Sequence, residues 1–349
     1  MLAVAVSKYV LFTDSGLREE WRSAEFANGP LSAPHPLLLN SSERVLVLPI
    51  PGALVLLDAS DGEVLGGARV GFPYAYLGFS YQGSNVTLLL FREPRDPLAG
   101  RYVITYRVDY GGGSWYNFSI EVPPDSRAVA TDWGVWVPGF PGIQLYSYTS
   151  KLLGAVALNS SPRDLGGIVA YTMGDYTVLG VLLLSEGPLT LIVDRGLNVL
   201  ATLNCTPADS KEAFGDILVL CASWMNGSLY NVEIYKFDGE TATKYGSFVI
   251  SSDTPPALSL LQVEGRVLVA ALVSSGDTDL LEVVDPSTGA ILDSVVLGDL
   301  GFIAGDVEWD PYTGLRSFEL DGDPEPEIVV TVVEATLSPI THVIVFEYS

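Results

Sequence analysis

Apolar residues along this chain either alternate with polar ones or run unbroken for five to nine positions, and the runs are rich in Val, Ile, Tyr and Thr and bounded by Gly, Pro, Asp and Ser. Alternation is the period of a half-buried strand, and a short apolar run between turn residues is that of a strand buried on both faces. The 3.6-residue period of an amphipathic helix is nearly absent; Asp209 to Phe214 is the one short helical candidate. The pattern predicts an all-β fold.

A unit recurs within it: an apolar strand, an Asp-containing turn with glycine, and a second strand. The clearest copies are Leu54-Val-Leu-Leu-Asp58-Ala-Ser-Asp61-Gly62-Glu-Val-Leu65 and Leu281-Glu-Val-Val-Asp285-Pro-Ser-Thr-Gly289-Ala-Ile-Leu292. Weaker copies run from Val10 through Asp14 to Gly16, from Leu191 through Asp194 to Gly196, and from Ile234 through Asp238 to Glu240. With Asp109 and Thr149 filling the same place in two degenerate copies, successive steps are 44, 51, 40, 45, 44 and 47 residues. A period near 45 made only of strands is the mark of propeller blades, four-stranded sheets that bury their faces only against neighbours. The expected blades span roughly 25–70, 71–122, 123–159, 160–204, 205–250, 251–298, and 299–349 closed by 1–24. Both ends of the chain read as strands, Leu2 to Phe12 and Thr341 to Ser349, and one blade shared by both termini removes the open edge of a ring. That makes seven blades, or eight if the N-terminal strands form their own; a pair of β-sandwiches is the competing architecture.

The strand-Asp-x-x-Gly-strand frame resembles the blades of quinoprotein-like (pyrroloquinoline-quinone-repeat) propellers, where it turns between the two outer strands. No copy keeps the tryptophan-docking signature of that family, and the copy at Thr149 lacks both Asp and Gly, so the likeness extends to shape and not to quinone chemistry.

Composition narrows the setting. The chain has 349 residues, 48% of them hydrophobic and 17% charged, which is the make-up of a folded protein with a large core. A formal charge of −24 repels nucleic acid and anionic membrane surfaces. There is no apolar run of about eighteen residues that would span a membrane. Met1 to Val6, interrupted by Ser7 and Lys8, does not read as a complete signal peptide.

Six of nine asparagines, Asn40, Asn85, Asn117, Asn159, Asn204 and Asn226, open an Asn-x-Ser/Thr triplet, where chance placement predicts about one. They are read as glycan acceptors, which places the protein outside the cell or on its surface. The only cysteines, Cys205 and Cys221, stand sixteen positions apart in strand-like segments. In an exported chain such a pair is expected to form a disulfide.

The densest acidic motif is Glu319-Leu-Asp321-Gly-Asp323-Pro-Glu325-Pro-Glu327, followed by the strand Ile328 to Val333. Alternate oxygens of a tight loop can converge on one hard cation. The motif resembles the calcium loops of integrin-type FG-GAP repeats, which implies side-chain ligands at Glu319, Asp321, Asp323 and Glu327, with a carbonyl ligand at Glu325. Glu319 in place of Asp and Pro324 in place of Gly depart from that pattern. Catalytic chemistry is poorly supplied: only His35 and His342 are present, His342 inside the terminal strand, and no Gly-x-Ser-x-Gly elbow, phosphate loop or dinucleotide fingerprint occurs. Aromatics crowd the region of Trp115 to Tyr148, and the Gly- and Pro-rich stretch containing Trp133, Trp136 and Phe140 is the expected partner contact.

The functional expectation is a glycosylated surface propeller, a structural or interaction component of a layer, filament or adhesion complex that meets other surface proteins or glycans. Its sequon density, its richness in aliphatics and tyrosine and its low lysine content resemble those of secreted archaeal surface glycoproteins. An exported enzyme, quinoprotein-like or glycan-active, and a calcium-dependent carbohydrate-binding module are the alternatives.

Overall fold

The computed structural model describes residues 16–27, 35–39, 43–50, 53–69, 74–82, 85–92, 101–109, 112–122, 129–147, 149, 151–158, 165–276, 278–298, 314–320, 325–334 and 340–349. They contain no α-helix and form six four-stranded antiparallel sheets and one five-stranded sheet. We label them in chain order: sheet I (35–69), II (74–122), III (129–157), IV (165–203), V (206–251), VI (257–298) and VII, which joins 315–348 to residues 17–27. Within sheets I to VI the strand order is the chain order, an up-and-down meander.

The first strands of successive sheets lie side by side: Val129–Thr131 adjoins Tyr74–Gln82 and Leu165–Met173, and Thr206–Ala213 adjoins Leu165–Met173 and Ala257–Val263. First strands therefore gather round an axis, and fourth strands form a rim. Side chains alternate between the two faces of a strand, so each middle strand of a sheet serves two inter-sheet cores. Val45, Leu46, Val47 and Leu48 are all fully buried for this reason, with Leu46 and Leu48 packing on Val329, Val343 and Val345 of sheet VII. Sheets V and VI share Val232, Ile234, Leu258 and Val269, and sheets VI and VII share Leu281, Val283, Ile328 and Phe346.

Closure uses both ends of the chain. Leu17–Arg22 pairs antiparallel with Ile340–Tyr348, and this outermost strand is tied to both neighbouring sheets. Asp293 of sheet VI accepts the Leu17 amide at 2.6 Å. On the other side the Trp21 indole donates to the Ala59 carbonyl of sheet I at 2.9 Å. Trp21 lies over Gly62, whose φ is +75°; a Cβ there would meet the indole at 2.5 Å. Glycine in this turn thus satisfies both a left-handed backbone and a close approach. The expected N-terminal strand from Leu2 to Phe12 lies outside the described residues.

The Asp frame forms the turn between third and fourth strands. Asp58 Oδ1 accepts from the Ser60 amide at 2.8 Å, Asp285 Oδ1 from the Ser287 amide at 2.8 Å, and Asp238 Oδ1 from the Glu240 and Thr241 amides. These bonds mimic a backbone turn and, for Asp238, hold the carboxyl below the usual carboxylate range. In the degenerate copy Ser147 takes over, its Oγ accepting the Thr149 and Lys151 amides.

A second regularity follows each turn. The outermost strands of sheets I, III, IV, V and VI each carry one extra, unpaired residue close to their start: Leu65, Leu153, Leu200, Tyr245 and Leu292. All five are exposed. A bulge bends an edge and interrupts its ladder, which keeps an open rim from recruiting further strands.

One expectation is corrected. In the helical candidate Asp209 to Phe214, residues 209–213 belong instead to the first strand of sheet V, Thr206–Ala213, paired to Asp216–Asn226, and Phe214 lies in the turn that follows. A polar strand persists there because neighbouring first strands supply its side chains with partners at the axis.

Glu282 is the opposite case, a carboxyl placed among apolar neighbours. It lies between Leu280 and Val284 on the strand face that packs against sheet V, and burial pushes its pKa up. A carboxyl raised by folding holds its proton longer in the folded state, so its contribution is present below the ordinary value of 4.5 and is lost as pH rises through the folded value. Glu282→Gln is expected to raise the melting temperature at pH 7 and leave it unchanged at pH 4; equal shifts at both pH values would refute the assignment.

Candidate interaction surfaces

An up-and-down sheet sends alternate connections to opposite ends. The turns joining strands 1 to 2 and 3 to 4 share one end, here the Asp-turn face. The hairpins joining strands 2 to 3 share the other with the sheet-to-sheet crossovers, here the crossover face. The aromatic stretch expected to touch a partner is divided between these faces by a single strand, Gly134–Pro138.

Trp133 precedes that strand on the Asp-turn face. Trp136, inside it, is fully buried and donates its indole hydrogen to Thr131 Oγ1 at 3.1 Å. Its assignment as a partner contact is therefore corrected: a ring at the centre of a five-residue strand buried throughout serves the core between sheets III and IV. Phe140 follows the strand at the hairpin tip on the crossover face and is 78% exposed.

Trp133 lines a groove of about 870 Å³ between sheets III and IV, with Asp132, Leu153, Thr172, Gly174 and Arg195. The Arg195 guanidinium stands 5.5 Å from the indole centroid. Asp175 accepts from Arg195 Nε at 2.8 Å, and the Gly174 carbonyl accepts from both Arg195 Nη2 and the indole. One face of the ring is therefore engaged in a cation–π contact, so the indole links two sheets rather than offering both faces to a ligand.

On the crossover face the tips are apolar and exposed in three consecutive sheets: Phe140 in III, Leu184 at 65% in IV, and Trp224 at 62% with Met225 and Leu229 in V. The last four residues of Asp216–Asn226 are all exposed, while Tyr230, paired with Trp224 across the hairpin, stays buried in the core between sheets V and VI. The hairpin tip is nevertheless ordered by hydrogen bonds: the Trp224 indole donates to the Gly227 carbonyl at 3.0 Å. Phe140 is held similarly, with Gln144 Nε2 donating to the Phe140 carbonyl at 2.8 Å and the Gly139 amide to the Gly142 carbonyl at 2.8 Å.

The fold is that of a β-propeller. Solved structures share it: BBS1N in complex with ARL6DN, from a crystal soaked with mercury, is similar at a TM-score of 0.55 and 10% identity, covering 95% of this chain and 98% of that one. The same complex soaked with lead is similar at a TM-score of 0.57 and 11% identity, covering 97% and 98%. At such identities the likeness is one of fold alone. No family model and no curated protein matches the sequence.

The remaining candidates fall as follows. Cys205, in the crossover from sheet IV to V, and Cys221, in the second strand of sheet V, stand at bonding distance with Cα atoms 5.8 Å apart. Asn204 is exposed in the same crossover, and Asn226 is exposed at the hairpin tip beside Met225. Asn85 opens a strand and Asn117 lies within one; Asn40 and Asn159 lie outside the described residues. So do Asp321 and Asp323 of the acidic loop. Glu327 begins the second strand of sheet VII, 2% exposed, and its Oε2 accepts the Leu320 amide at 2.6 Å. No group of three metal-ligating side chains occurs among the described residues. His342 is packed inside the terminal strand, opposite Val332.

Sequence reasoning missed a charged cluster at the axis. Asp209 Oδ2 accepts from Ser259 Oγ at 2.8 Å and the Leu260 amide at 2.9 Å; Oδ1 accepts from the Ser210 amide at 2.8 Å and Arg316 Nη1 at 3.3 Å. Arg316 also lies 5.4 Å from the Tyr171 ring centroid. Lys211 Nζ donates to the Leu260 and Ser317 carbonyls at 2.8 and 2.6 Å and to Ser317 Oγ. Burial pushes Lys211 down to about 8, against the pull of Asp209. First strands of sheets IV, V, VI and VII are thus joined at one point. Spread along the chain from Tyr171 to Ser317, these residues share no local motif.

Proposed function

We propose that this chain is an extracellular, N-glycosylated propeller whose role is binding: a structural or interaction component of a cell-surface layer, filament or adhesion complex. The exposed apolar tips of three consecutive sheets on the crossover face carry this reading. Trp and Phe side chains left uncovered on hydrogen-bonded hairpins lose little conformational freedom on docking, which is the behaviour of interface anchors. The BBS1N structures to which the fold is similar are themselves complexes with ARL6DN, and a propeller holding a protein partner suits the same reading.

The extracellular setting rests on the sequons, with Asn204 and Asn226 both on exposed backbone. Peptide mass spectra of protein from its native source are expected to show glycans on at least three of the six asparagines, and the double variant Phe140→Ser/Trp224→Ser is expected to leave the cell-surface fraction for the soluble one. Unmodified asparagine at all six sites refutes the setting; unchanged fractionation refutes the binding face.

The loop from Glu319 to Glu327 is proposed as a calcium site within this assembly. Glu327 anchors its base through the Leu320 amide. A cation that binds only the folded form adds about 2.7 kcal/mol at a hundredfold excess over its dissociation constant. Excess chelator is therefore expected to lower the melting temperature, and Asp321→Ala or Asp323→Ala to abolish the difference. Identical melting with calcium and with chelator would reduce the motif to an acidic turn.

A further inference from the structure

The groove on the Asp-turn face originates in a mismatch between the two sheets that bound it. Sheet III is the smaller, with strands of three, five, five and six residues against nine, eight, eight and five in sheet IV. Its outer strand also lines the wedge with small residues, Gly154 and Ala155, where longer side chains would fill it. The resulting concavity of about 870 Å³ lies within the range of small-molecule sites, roughly 300–1,000 Å³.

Leu197, on its floor, departs from the rule that the sister turns follow. In three Asp turns one residue donates its amide back to the Asp carbonyl: Gly62 to Asp58 at 3.0 Å, Gly289 to Asp285 at 2.8 Å and Leu197 to Asp194 at 2.9 Å. All three have a left-handed backbone, with φ of +75°, +70° and +63°. Glycine adopts it freely, whereas a leucine does so only under strain. The leucine places a side chain in the groove, its Cδ1 only 2.5 Å from where a Cβ on Gly154 would stand. Strain of this kind collects at ligand sites.

We propose that the groove between sheets III and IV binds a neutral oligosaccharide, its CH faces on Trp133, Leu153 and Leu197 and its hydroxyls toward Asp132 and Thr172. Those side chains give the groove an apolar floor and a polar rim, the division that a sugar ring presents in reverse. The groove's own charges disfavour an ionic ligand of either sign. A cation meets the Arg195 guanidinium, which already occupies one face of the indole. An anion meets exposed Asp132 and must compete with Asp175 for Arg195. A peptide added as a strand is opposed as well, because the bulge at Leu153 interrupts the ladder of the adjoining edge.

This deepens the binding role proposed above by adding a ligand class on the opposite face, and the two can fail separately. The full chain, prepared without glycans, is run in native gels cast with dextran, galactomannan or xyloglucan, with polygalacturonate as the anionic control and a plain gel as the reference. At least one neutral gel is expected to retard the protein, and polygalacturonate to leave it unretarded. Leu197→Gly is expected to weaken retardation about fivefold or more, the scale of withdrawing part of one leucine from a ligand. It should keep the fold, because glycine occupies the same place in the sister turns. Leu153→Ser, on an exposed bulge, and Asp132→Ala are expected to weaken retardation without touching that turn. Leu200→Ser on the rim and Phe140→Ser/Trp224→Ser on the crossover face are expected to change nothing, and circular dichroism checks the fold of each variant. Retardation by none of the neutral gels overturns the proposal, as does retardation untouched by Leu197→Gly, Leu153→Ser and Asp132→Ala. Retardation by polygalacturonate alone overturns the neutral ligand. Loss of retardation in excess chelator assigns the sugar to the acidic loop and overturns the groove. Given retardation, self-association of the natively glycosylated chain that Leu153→Ser abolishes identifies a second copy's glycan as the source, and its absence another surface glycan. Loss of the surface fraction in Phe140→Ser/Trp224→Ser, with no retardation by any gel, overturns this inference while leaving the proposed binding role standing.

Discussion

Asp209→Ala should be the most damaging single substitution in the described chain, lowering the unfolding free energy by about 3–5 kcal/mol, the scale of breaking a buried ion pair by removing one partner. Asp209 is 2% exposed and accepts four hydrogen bonds, one of them from Arg316, itself 7% exposed. Its removal takes the carboxylate away from the buried guanidinium and leaves the Leu260 amide without its acceptor inside the ring. Denaturant unfolding with an unchanged slope is the measurement; a loss below about 1 kcal/mol would mean that water reaches the axis and replaces the carboxylate. Lys211 supplies an independent check. A lysine whose folded pKa, about 8, lies below its ordinary 10.5 binds fewer protons folded than unfolded within that window, so stability rises with pH from 8 to 10.5. Lys211→Met should remove that rise. Because Asp209 holds the Lys211 pKa up, Asp209→Ala should move the start of the rise to lower pH.

Breaking the Cys205–Cys221 link should produce the next largest loss. A loop of about fifteen residues closed in the unfolded chain corresponds to roughly 3 kcal/mol. The bridge also pins a crossover: the Cys205 carbonyl accepts from Thr190 Oγ1 at 2.7 Å, and both sulfurs belong to the core between sheets IV and V. Intact-mass analysis after alkylation is expected to show no modified thiol without reductant and two with it, and reduction should lower the denaturant midpoint. Two thiols alkylated without reductant would refute the bond.

Much of the fold was legible because a propeller repeats a local pattern. Third strands such as Leu54-Val-Leu-Leu-Asp58 announce both a strand and the turn that follows, since the Asp carboxylate closes the turn on the amide two residues on, as Asp58 does with Ser60. Strand at both termini similarly announced closure by both ends of the chain, but the strand that pairs with Ile340–Tyr348 is Leu17–Arg22, downstream of the expected Leu2 to Phe12. Where the local pattern weakened, reading by pattern failed. Thr206–Ala213 has the composition of a helix or loop, and its strand conformation follows from partners on other sheets. The outer-strand bulges at Leu65, Leu153, Leu200, Tyr245 and Leu292 were hidden for a related reason: a one-residue register shift leaves the hydrophobic pattern intact.

The candidate site was legible in part. Phe140 was marked by its Gly- and Pro-rich surroundings, and its exposure agrees. Trp136, four positions earlier, carries the same chemistry yet lies in the core, because a strand crossing the molecule from one face to the other changes its surroundings completely within five residues. By itself the sequence determined the all-β class, the repeat, the closing termini and the chemical resources available: few cations, two cysteines, many sequons, a handful of tryptophans. Only the tertiary structure decided which of these meet. The gathering of Asp209, Lys211, Ser259 and Arg316 at the axis, the partition of Trp133 and Phe140 to opposite faces, and the union of Phe140, Leu184 and Trp224 on one face all depend on sheet-to-sheet neighbours. The physical reason is range: turn hydrogen bonds and strand periodicity act over a few residues, whereas burial and charge pairing act between segments that only the ring brings together.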